Sequence, residues 1–219
     1  MRDVKSRKVW MKSKCNKMKL TIVYDNNAKP GFKSGWGFSC LVETDKNKKI
    51  LFDTGDNADK LLFNLKKLNK DPGDIDTLVI SHRHRDHTGG MSALLDNNPD
   101  VKVVMPGSFS GIGKIEDQVY TSGPLPGSVV EQSLVVKTTK GIVVIAGCAH
   151  PGIKNILQAA SKFGKIYGII GGFHGFSDYD LLEGVELIGA CHCTQHIKEI
   201  KKRFPKEYKE VMAGAVIKI

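Results

Sequence analysis

Residues 80–90 read ISHRHRDHTGG, and this stretch decides how the rest of the chain is interpreted. Within six positions it places His82, His84, Asp86 and His87, after an apolar run and before two glycines. Imidazole and carboxylate groups are ligands of Zn²⁺ and other transition ions. A solvated charged loop is the alternative. Four ligand-type residues between an apolar run and a Gly-Gly turn favour a metal site.

The spacing divides these residues into two pairs. His82 and His84 are two apart on an extended segment, so both side chains point to the same side and can bind one ion. Asp86 and His87 follow where the chain turns toward a helix, so they can bind a second ion nearby. A two-metal site can stabilise attacking and leaving oxygens, and it can lower the pKa of bound water to about 7.

Composition limits the classes of protein to consider. The 219 residues suffice for one domain with a sizeable core. A basic arm, predicted to be disordered, occupies residues 1–18 and lacks the apolar segment of a secretory signal. A single domain is predicted over 19–219. No run of about 18 apolar residues occurs, so no membrane span is expected.

Charge and cysteine content indicate partners and compartment. The formal charge is +10, which attracts phosphates, nucleic acid or acidic membranes. The five cysteines, without a secretory signal, predict a reducing cytoplasm rather than a disulfide framework. We expect a small anionic substrate, and neither a nucleic-acid nor a membrane partner.

Apolar patterning predicts strands and helices in alternation. The predicted strands lie at 20–25, 37–44, 48–55, 76–80, 101–105, 132–139, 141–147, 165–172, 185–190 and 215–219. The predicted helices lie at 56–69, 89–97, 151–164, 177–184 and 194–204. Residues 106–132, rich in Gly, Pro and Ser, are predicted to form a loop between two halves. This order predicts an α/β fold of two mixed sheets packed face to face, with helices outside.

Further histidine and aspartate residues follow other predicted strands. Asp53 follows KILF, His150 follows VVIAGCA, and His192 follows ELIGAC. Ligands bind at this edge in open α/β sheets, so these residues are predicted to converge with 82–87. For His150 and His192 a packed core histidine is the alternative.

SHRHRDHTGG resembles the signature of the metallo-β-lactamase superfamily. Residues 31–57, 131–157, GGFH and CHCTQH are similar to further motifs of that family. Together they resemble a subfamily that includes archaeal 7,8-dihydropterin-6-methyl-4-(β-D-ribofuranosyl)aminobenzene 5'-phosphate synthases and many metallohydrolases. The resemblance covers about residues 19–219, and it implies a four-layer αββα sandwich with two mixed β-sheets and outer helices.

The resemblance also implies roles for individual residues. The first ion would be bound by His82, His84 and His150, and the second by Asp86, His87 and His192. Asp53 would steady the histidines through hydrogen bonds. The expected cofactor is one or two divalent ions, zinc first, with manganese or iron as alternatives.

One position departs from the family pattern. The superfamily often has an acid or a cysteine after a later strand, whereas this chain reads GGFHGF, so Gly172 or His174 takes that place. His174 and Asp86 are the predicted catalytic residues, with a loop histidine as the alternative for His174.

The cysteines beside these positions carry weaker hypotheses. Cys148, Cys191 and Cys193 lie beside ligand positions. The Cys-x-Cys pair around His192 suggests thiolate ligands, but small buried side chains near a strand end are the preferred interpretation. His196 is predicted to lie at the surface or behind the ligands.

Three functions remain open. The first is a metal-dependent hydrolase, in which metal-bound hydroxide attacks a phosphoester, lactone or similar substrate. The alternative is a transferase of methanopterin biosynthesis that joins a hydroxymethyl-dihydropterin diphosphate to a ribofuranosyl-aminobenzene phosphate. Trp36, Phe38, Phe109 and Phe173 are candidate walls for a flat pterin. A nuclease is the second alternative, although the chain lacks the aromatic-basic interleaving that stacks bases.

Overall fold

Two β-sheets form the centre of the structure, a computed structural model that describes residues 18–219. The predicted arm therefore lies outside the described residues except for Met18. In chain order the strands are β1 (Lys19–Tyr24), β2 (Ser39–Glu43), β3 (Lys49–Phe52), β4 (Thr77–Val79), β5 (Lys102–Val104), β6 (Gly113–Glu116), β7 (Val119–Thr121), β8 (Leu134–Thr138), β9 (Gly141–Ala146), β10 (Ile166–Gly172), β11 (Leu187–Cys191) and β12 (Val216–Lys218).

Both sheets are mixed, as predicted. The first has the order β12-β1-β2-β3-β4-β5, and the second has the order β11-β10-β9-β8-β7-β6. In the first sheet, β3, β4 and β5 are parallel, and the remaining neighbours are antiparallel. In the second sheet, β9, β10 and β11 are parallel. Parallel strands bring their carboxyl ends to one edge, which is where the candidate site lies.

Three apolar layers hold the two sheets and their helices together. Successive side chains of a strand point to opposite faces, so both faces of these strands must find apolar partners. In β3, Ile50 and Phe52 face the layer between the sheets, while Leu51 faces an outer layer. In β9, Val143 and Ile145 likewise face inward. Burial on both faces explains why these strands read as continuous apolar runs, and it confirms the αββα architecture.

Within residues 18–219 the α-helices are α1 (Ala58–Lys67), α2 (Arg85–Thr88), α3 (Met91–Asn97), α4 (Ile153–Ser161) and α5 (Ile197–Arg203). Apolar residues of α1, α3, α4 and α5 pack in the two outer layers. Asn57 caps α1 by accepting from the Lys60 N–H at 3.0 Å. The helix predicted at 177–184 is a short 3-10 helix, Tyr179–Leu182. Within the described residues, the helices are too short or too polar to cross a membrane.

The prediction of a loop over 106–132 was wrong, because this segment contains the hairpin of β6 and β7 at the edge of the second sheet. In β6, Ile115 is buried whereas Lys114 is exposed. A short edge hairpin with a solvated face needs few apolar residues, so its pattern was too weak to stand out against the surrounding Gly, Pro and Ser.

A buried amide attaches strand β1 and the segment after it to helix α1. The Asn64 side chain is fully buried and donates from Nδ2 to the carbonyl oxygens of Val23 and Lys33, both at 2.8 Å. Its Oδ1 accepts from the Lys33 N–H at 2.9 Å. One side chain therefore makes hydrogen bonds to three backbone groups.

Replacing this amide tests its structural role. We expect Asn64→Ala to lower the free energy of unfolding by about 3 kcal/mol, because buried backbone groups lose their partners. Urea denaturation followed by circular dichroism measures the change. Lys66→Ala, on the exposed face of the same helix, is the control and should change it by less than about 0.5 kcal/mol. Equal stabilities for the two variants would contradict the assignment.

Candidate metal centre

The carboxyl ends of strands from both sheets meet at one edge of the sandwich. The side chains gathered after β1, β3, β4, β9, β10 and β11 are Asp25, Asn26, Asp53, His82, His84, Asp86, His87, Cys148, His150, His174, His192 and Cys193. The structure therefore brings together the predicted metal ligands, His174 and Asp53, although they lie on segments far apart in the chain.

The first group consists of His82, His84 and His150, whose ligand nitrogens all lie within 4.8 Å of one another. Nε2 of His82 is 3.1 Å from Nδ1 of His84. The His150 ring centroid is 4.8 Å from that of His82 and 5.0 Å from that of His84. His82 is buried, His150 half-buried and His84 exposed, so the group opens to solvent on one side.

The second group consists of Asp86, His87, Cys148 and His192, with ligand atoms again within 4.8 Å of one another. His192 Nε2 is 3.3 Å from Asp86 Oδ2, and His87 Nε2 is 3.1 Å from Cys148 Sγ. The two groups adjoin, because the ring centroids of His82 and His87 are 4.2 Å apart. The arrangement has the donor atoms for two neighbouring ions.

Four of these histidines are fixed through Nδ1 by neighbours outside the two groups. The pairs are His82 with Ser81 Oγ (2.9 Å), His87 with Asp53 Oδ2 (2.7 Å), His150 with Ser128 Oγ (3.2 Å) and His192 with Asn26 Oδ1 (3.0 Å). Their Nε2 atoms are thereby directed at the centre. The buried Nε2 atoms of His150 and His192 make no hydrogen bond there. Histidines held in this way fit the role of metal ligands, because a metal-binding histidine usually has its other ring nitrogen hydrogen-bonded.

The electrostatics of the site suit a cation. Burial and the neighbouring histidines lower the pKa of His82 to about 2, of His87 to about 3 and of His150 to about 4. These imidazoles are neutral at pH 7, so their lone pairs are free to bind. Burial raises the pKa of Asp86, but interaction with His192 and His87 outweighs it and lowers that pKa below its usual range. Neutral imidazoles and an ionised carboxylate are the protonation states that metal binding requires.

Asp53 supports the second group from behind. Its buried carboxylate accepts from the Ser81 N–H at 2.6 Å and from the Ser81 hydroxyl at 2.7 Å, and it bonds His87 Nδ1. Burial raises the pKa of Asp53 well above its usual value, and the Ser81 hydrogen bonds lower it. Hydrogen bonds to a histidine and to its loop are the contacts expected of a residue that steadies ligands.

Two residues that sequence reasoning missed, Asp25 and Asn26, hold His192 in place. The His192 N–H donates to Asp25 Oδ1 at 3.1 Å, and Asn26 Nδ2 donates to the His192 carbonyl at 2.9 Å. Both residues directly follow the buried strand β1. The sequence contained a signal for them, because a place directly after a buried strand also indicated Asp53 and His150.

Glu131 is a second residue that sequence reasoning missed. Its carboxylate is fully buried and accepts four backbone N–H groups at 3.0–3.1 Å, those of residues 147–150. Burial raises the pKa of Glu131 to about 7, and these hydrogen bonds oppose the shift. The carboxylate shapes the loop after β9, which carries Cys148 and His150.

The backbone at this edge is strained. Asp53, Ala149, His174 and His192 have φ values of 60°, 57°, 49° and 50°, in the left-handed region that non-glycine residues avoid. Each costs about 1 kcal/mol or more, and such residues cluster at functional sites. Gly89 is required for a different reason, namely close packing, because a Cβ there would lie 2.3 Å from the Asp56 carbonyl oxygen. The Gly-Gly end of the motif therefore permits close backbone packing as well as a turn.

The remaining candidates lie at different distances from the two groups. His174 is exposed, and its ring centroid is 5.1 Å from that of His150. It shares a third set of ligand atoms, within 4.8 Å, with Cys148 and Cys193. Cys191 is buried in the layer between the sheets, in agreement with the prediction that the cysteines are small buried side chains. His196 precedes α5 and belongs to none of the three sets of ligand atoms found among residues 18–219.

Comparison with known proteins identifies relatives over most of the chain. The family profile of the Metallo-beta-lactamase superfamily matches residues 37–132. The 7,8-dihydropterin-6-methyl-4-(beta-D-ribofuranosyl)-aminobenzene-5'-phosphate synthase of Methanocaldococcus jannaschii is 29% identical, over 85% of this chain and 91% of that protein.

Solved structures give the same fold. The crystal structure of Tm1679, described as a metal-dependent hydrolase of the beta-lactamase superfamily, superposes with a TM-score of 0.76 at 29% identity, covering 92% of this chain and 99% of that one. The metallo-beta-lactamase fold protein YhfI from Bacillus subtilis gives 0.65 at 14% identity, covering 93% and 100%, a likeness of fold alone.

The contact between Asp53 and His87 generates a prediction about metal affinity. Asp53→Asn keeps the size of the side chain but weakens its hydrogen bonds to His87 and Ser81. We expect the dissociation constant for Zn²⁺ to rise about 10- to 100-fold, measured by competition with a chelating dye. Asp45→Asn, in the exposed turn after β2, is the control and should bind as the parent does. Unchanged affinity in Asp53→Asn would contradict the supporting role.

Proposed function

From the match of residues 37–132 to the metallo-β-lactamase superfamily and from the relatives described above, we propose that the chain is a metal-dependent transferase of the dihydropterin-phosphate synthase type. It would join a hydroxymethyl-dihydropterin diphosphate to a ribofuranosyl-aminobenzene phosphate and release diphosphate. The observation that carries the proposal is the pair of adjoining ligand groups. The choice of reaction is supported by the synthase of M. jannaschii, which is similar over most of both chains.

The reaction exchanges one bond for another at a methylene carbon. The amine nitrogen of the aminobenzene attacks this carbon, the bond from carbon to the diphosphate oxygen breaks, and diphosphate leaves with the electron pair. When bound, the ions would neutralise the charge of the leaving diphosphate as Lewis acids. His82, His84 and His150 would hold one ion, and Asp86, His87 and His192 the other. His174, which is exposed beside His150, would accept the proton that the amine loses.

Two features beside the ligand groups suit an organic substrate. A cavity of about 280 Å³ lies next to His150 and is lined in part by Phe173 and Phe176. On the other side, the Trp36 ring is 59% exposed, and its centroid is 5.3 Å from that of His192. Phe38, also considered as a pocket wall, is buried between the sheets instead. Trp36 is therefore the aromatic residue best placed to stack on a flat ring.

A metal-dependent hydrolase is the second candidate. It is supported by the likeness to Tm1679, which is described as a metal-dependent hydrolase. It is also supported by the exposed side of the first group at His84, where water would have access to the site. In that case the same residues would bind a phosphoester or a lactone, and water would take the place of the amine.

A substrate test separates the two candidates. Metal-loaded protein is incubated with both transferase substrates, and coupled product and diphosphate are measured. A panel of phosphoesters and lactones is assayed in parallel. The transferase predicts coupled product that disappears in His84→Ala, which removes an exposed ligand at little cost to folding, and that persists in His196→Ala. Hydrolysis of the panel without coupled product at any metal loading would favour the hydrolase.

The exposed indole generates a separate prediction. Stacking of a base on an aromatic side chain contributes about 1–3 kcal/mol. Trp36→Ala should therefore raise the KM for the dihydropterin diphosphate about tenfold or more, with a smaller change in kcat, and Trp36→Phe should restore most of the affinity. Phe63→Ala, an exposed ring on α1, is the control. An unchanged KM in Trp36→Ala would exclude stacking on this residue.

A further inference from the structure

We propose that Cys148 is a ligand of the second ion and supplies the anionic donor that the sequence GGFHGF lacks. The inference deepens the proposed function and rests on its metal centre. It assigns a role to a thiol that packing alone does not require. Asp86, His87 and His192 would then share their ion with a thiolate, giving four protein ligands in place of three.

The distances permit coordination without rearrangement of the backbone. Cys148 Sγ lies 3.1 Å from His87 Nε2, and all four donor atoms lie within 4.8 Å of one another. In a tetrahedral zinc site with Zn–N of about 2.0 Å and Zn–S of about 2.3 Å, donor atoms are about 3.5 Å apart. The observed separations bracket this value, so small side-chain shifts suffice.

The surroundings hold the sulfur in this place. Glu131 fixes the loop by accepting the Cys148 N–H at 3.1 Å. The absence of a side chain at Gly172 makes room, because a Cβ there would lie 3.2 Å from Cys148 Cα and 2.6 Å from Cys193 Sγ. Cys148 itself is only 3% exposed, yet its thiol faces an imidazole in a polar cluster rather than an apolar layer.

A competing arrangement would use the same sulfur with His174 and Cys193, whose ligand atoms also lie within 4.8 Å. That set offers three donors, and His174 is exposed. The set with Asp86, His87 and His192 offers four donors, three of which belong to buried residues. Four donors satisfy the coordination number that zinc prefers, so the set with Asp86, His87 and His192 is favoured.

The two groups then differ in chemistry. Three histidines with a solvent-facing side would leave a coordination position free on the first ion, as catalytic sites do. Four protein ligands would complete the coordination of the second ion. A thiolate also favours Zn²⁺ over harder ions such as Mn²⁺. Binding requires the thiolate, so the Cys148 proton is released to solvent when the ion enters.

Cobalt spectroscopy tests the assignment without relying on activity. Metal-free protein is titrated with Co²⁺, and a thiolate-to-cobalt charge-transfer band is recorded in the near ultraviolet. We expect two equivalents to bind and the band to accompany one of them. In Cys148→Ser the band should vanish and the affinity of that equivalent should fall at least about tenfold. The other equivalent should still bind, which shows that the variant is folded.

Matched variants make the result specific. Cys193→Ser and Cys40→Ala, the latter in the layer between the sheets, should keep the band. Cys148→Asp should restore the second equivalent without the band and should lower the preference for Zn²⁺ over Mn²⁺. A band that persists in Cys148→Ser, or that disappears only in Cys193→Ser, would overturn the proposal. Two bound equivalents with no band would overturn it while leaving the metal centre intact, whereas no binding at all would remove both.

Discussion

The candidate site depends on one constraint, namely that its histidines are held from outside by their Nδ1 atoms. Each of these Nδ1 atoms is within hydrogen-bond distance of one side chain, that of Ser81, Asp53, Ser128 or Asn26. The Nε2 atoms are thereby turned toward a common centre. Without an ion this arrangement leaves buried nitrogens without hydrogen bonds and several imidazoles in mutual contact. Such a cluster is unfavourable for folding alone, and a cation would relieve it.

The rest of the fold provides the rigidity that this constraint needs. Strands buried on both faces cannot slide without moving apolar side chains between layers, so their carboxyl ends are fixed. The loops after these strands accept left-handed backbone at Asp53, Ala149, His174 and His192. Buried carboxylates and amides hold the loops in turn. Glu131 accepts four N–H groups of the loop after β9, and Asn64 binds the segment after β1.

The site is asymmetric, and this asymmetry bears on its chemistry. The first group, of three histidines, is accessible to solvent at His84 and lies beside a cavity that is lined in part by two phenylalanine rings. The second group is more enclosed and includes Cys148. The exposed Trp36 ring is tilted against the ring of His192 in that group, with centroids 5.3 Å apart. The two groups of potential ligand atoms therefore lie between aromatic side chains.

The sequence by itself determined the αββα architecture and the convergence of His82, His84, Asp86, His87, His150 and His192, because buried strands and the residues after them are local patterns. It could not identify the β6–β7 hairpin, whose solvated face carries too few apolar residues. Only the tertiary structure showed the supports Asp25, Asn26 and Glu131, and placed Cys148 beside His87. His87 and Cys148 are more than 60 positions apart in the chain, so their contact depends on how the two sheets pack. Local sequence spacing does not determine the distance between two such side chains.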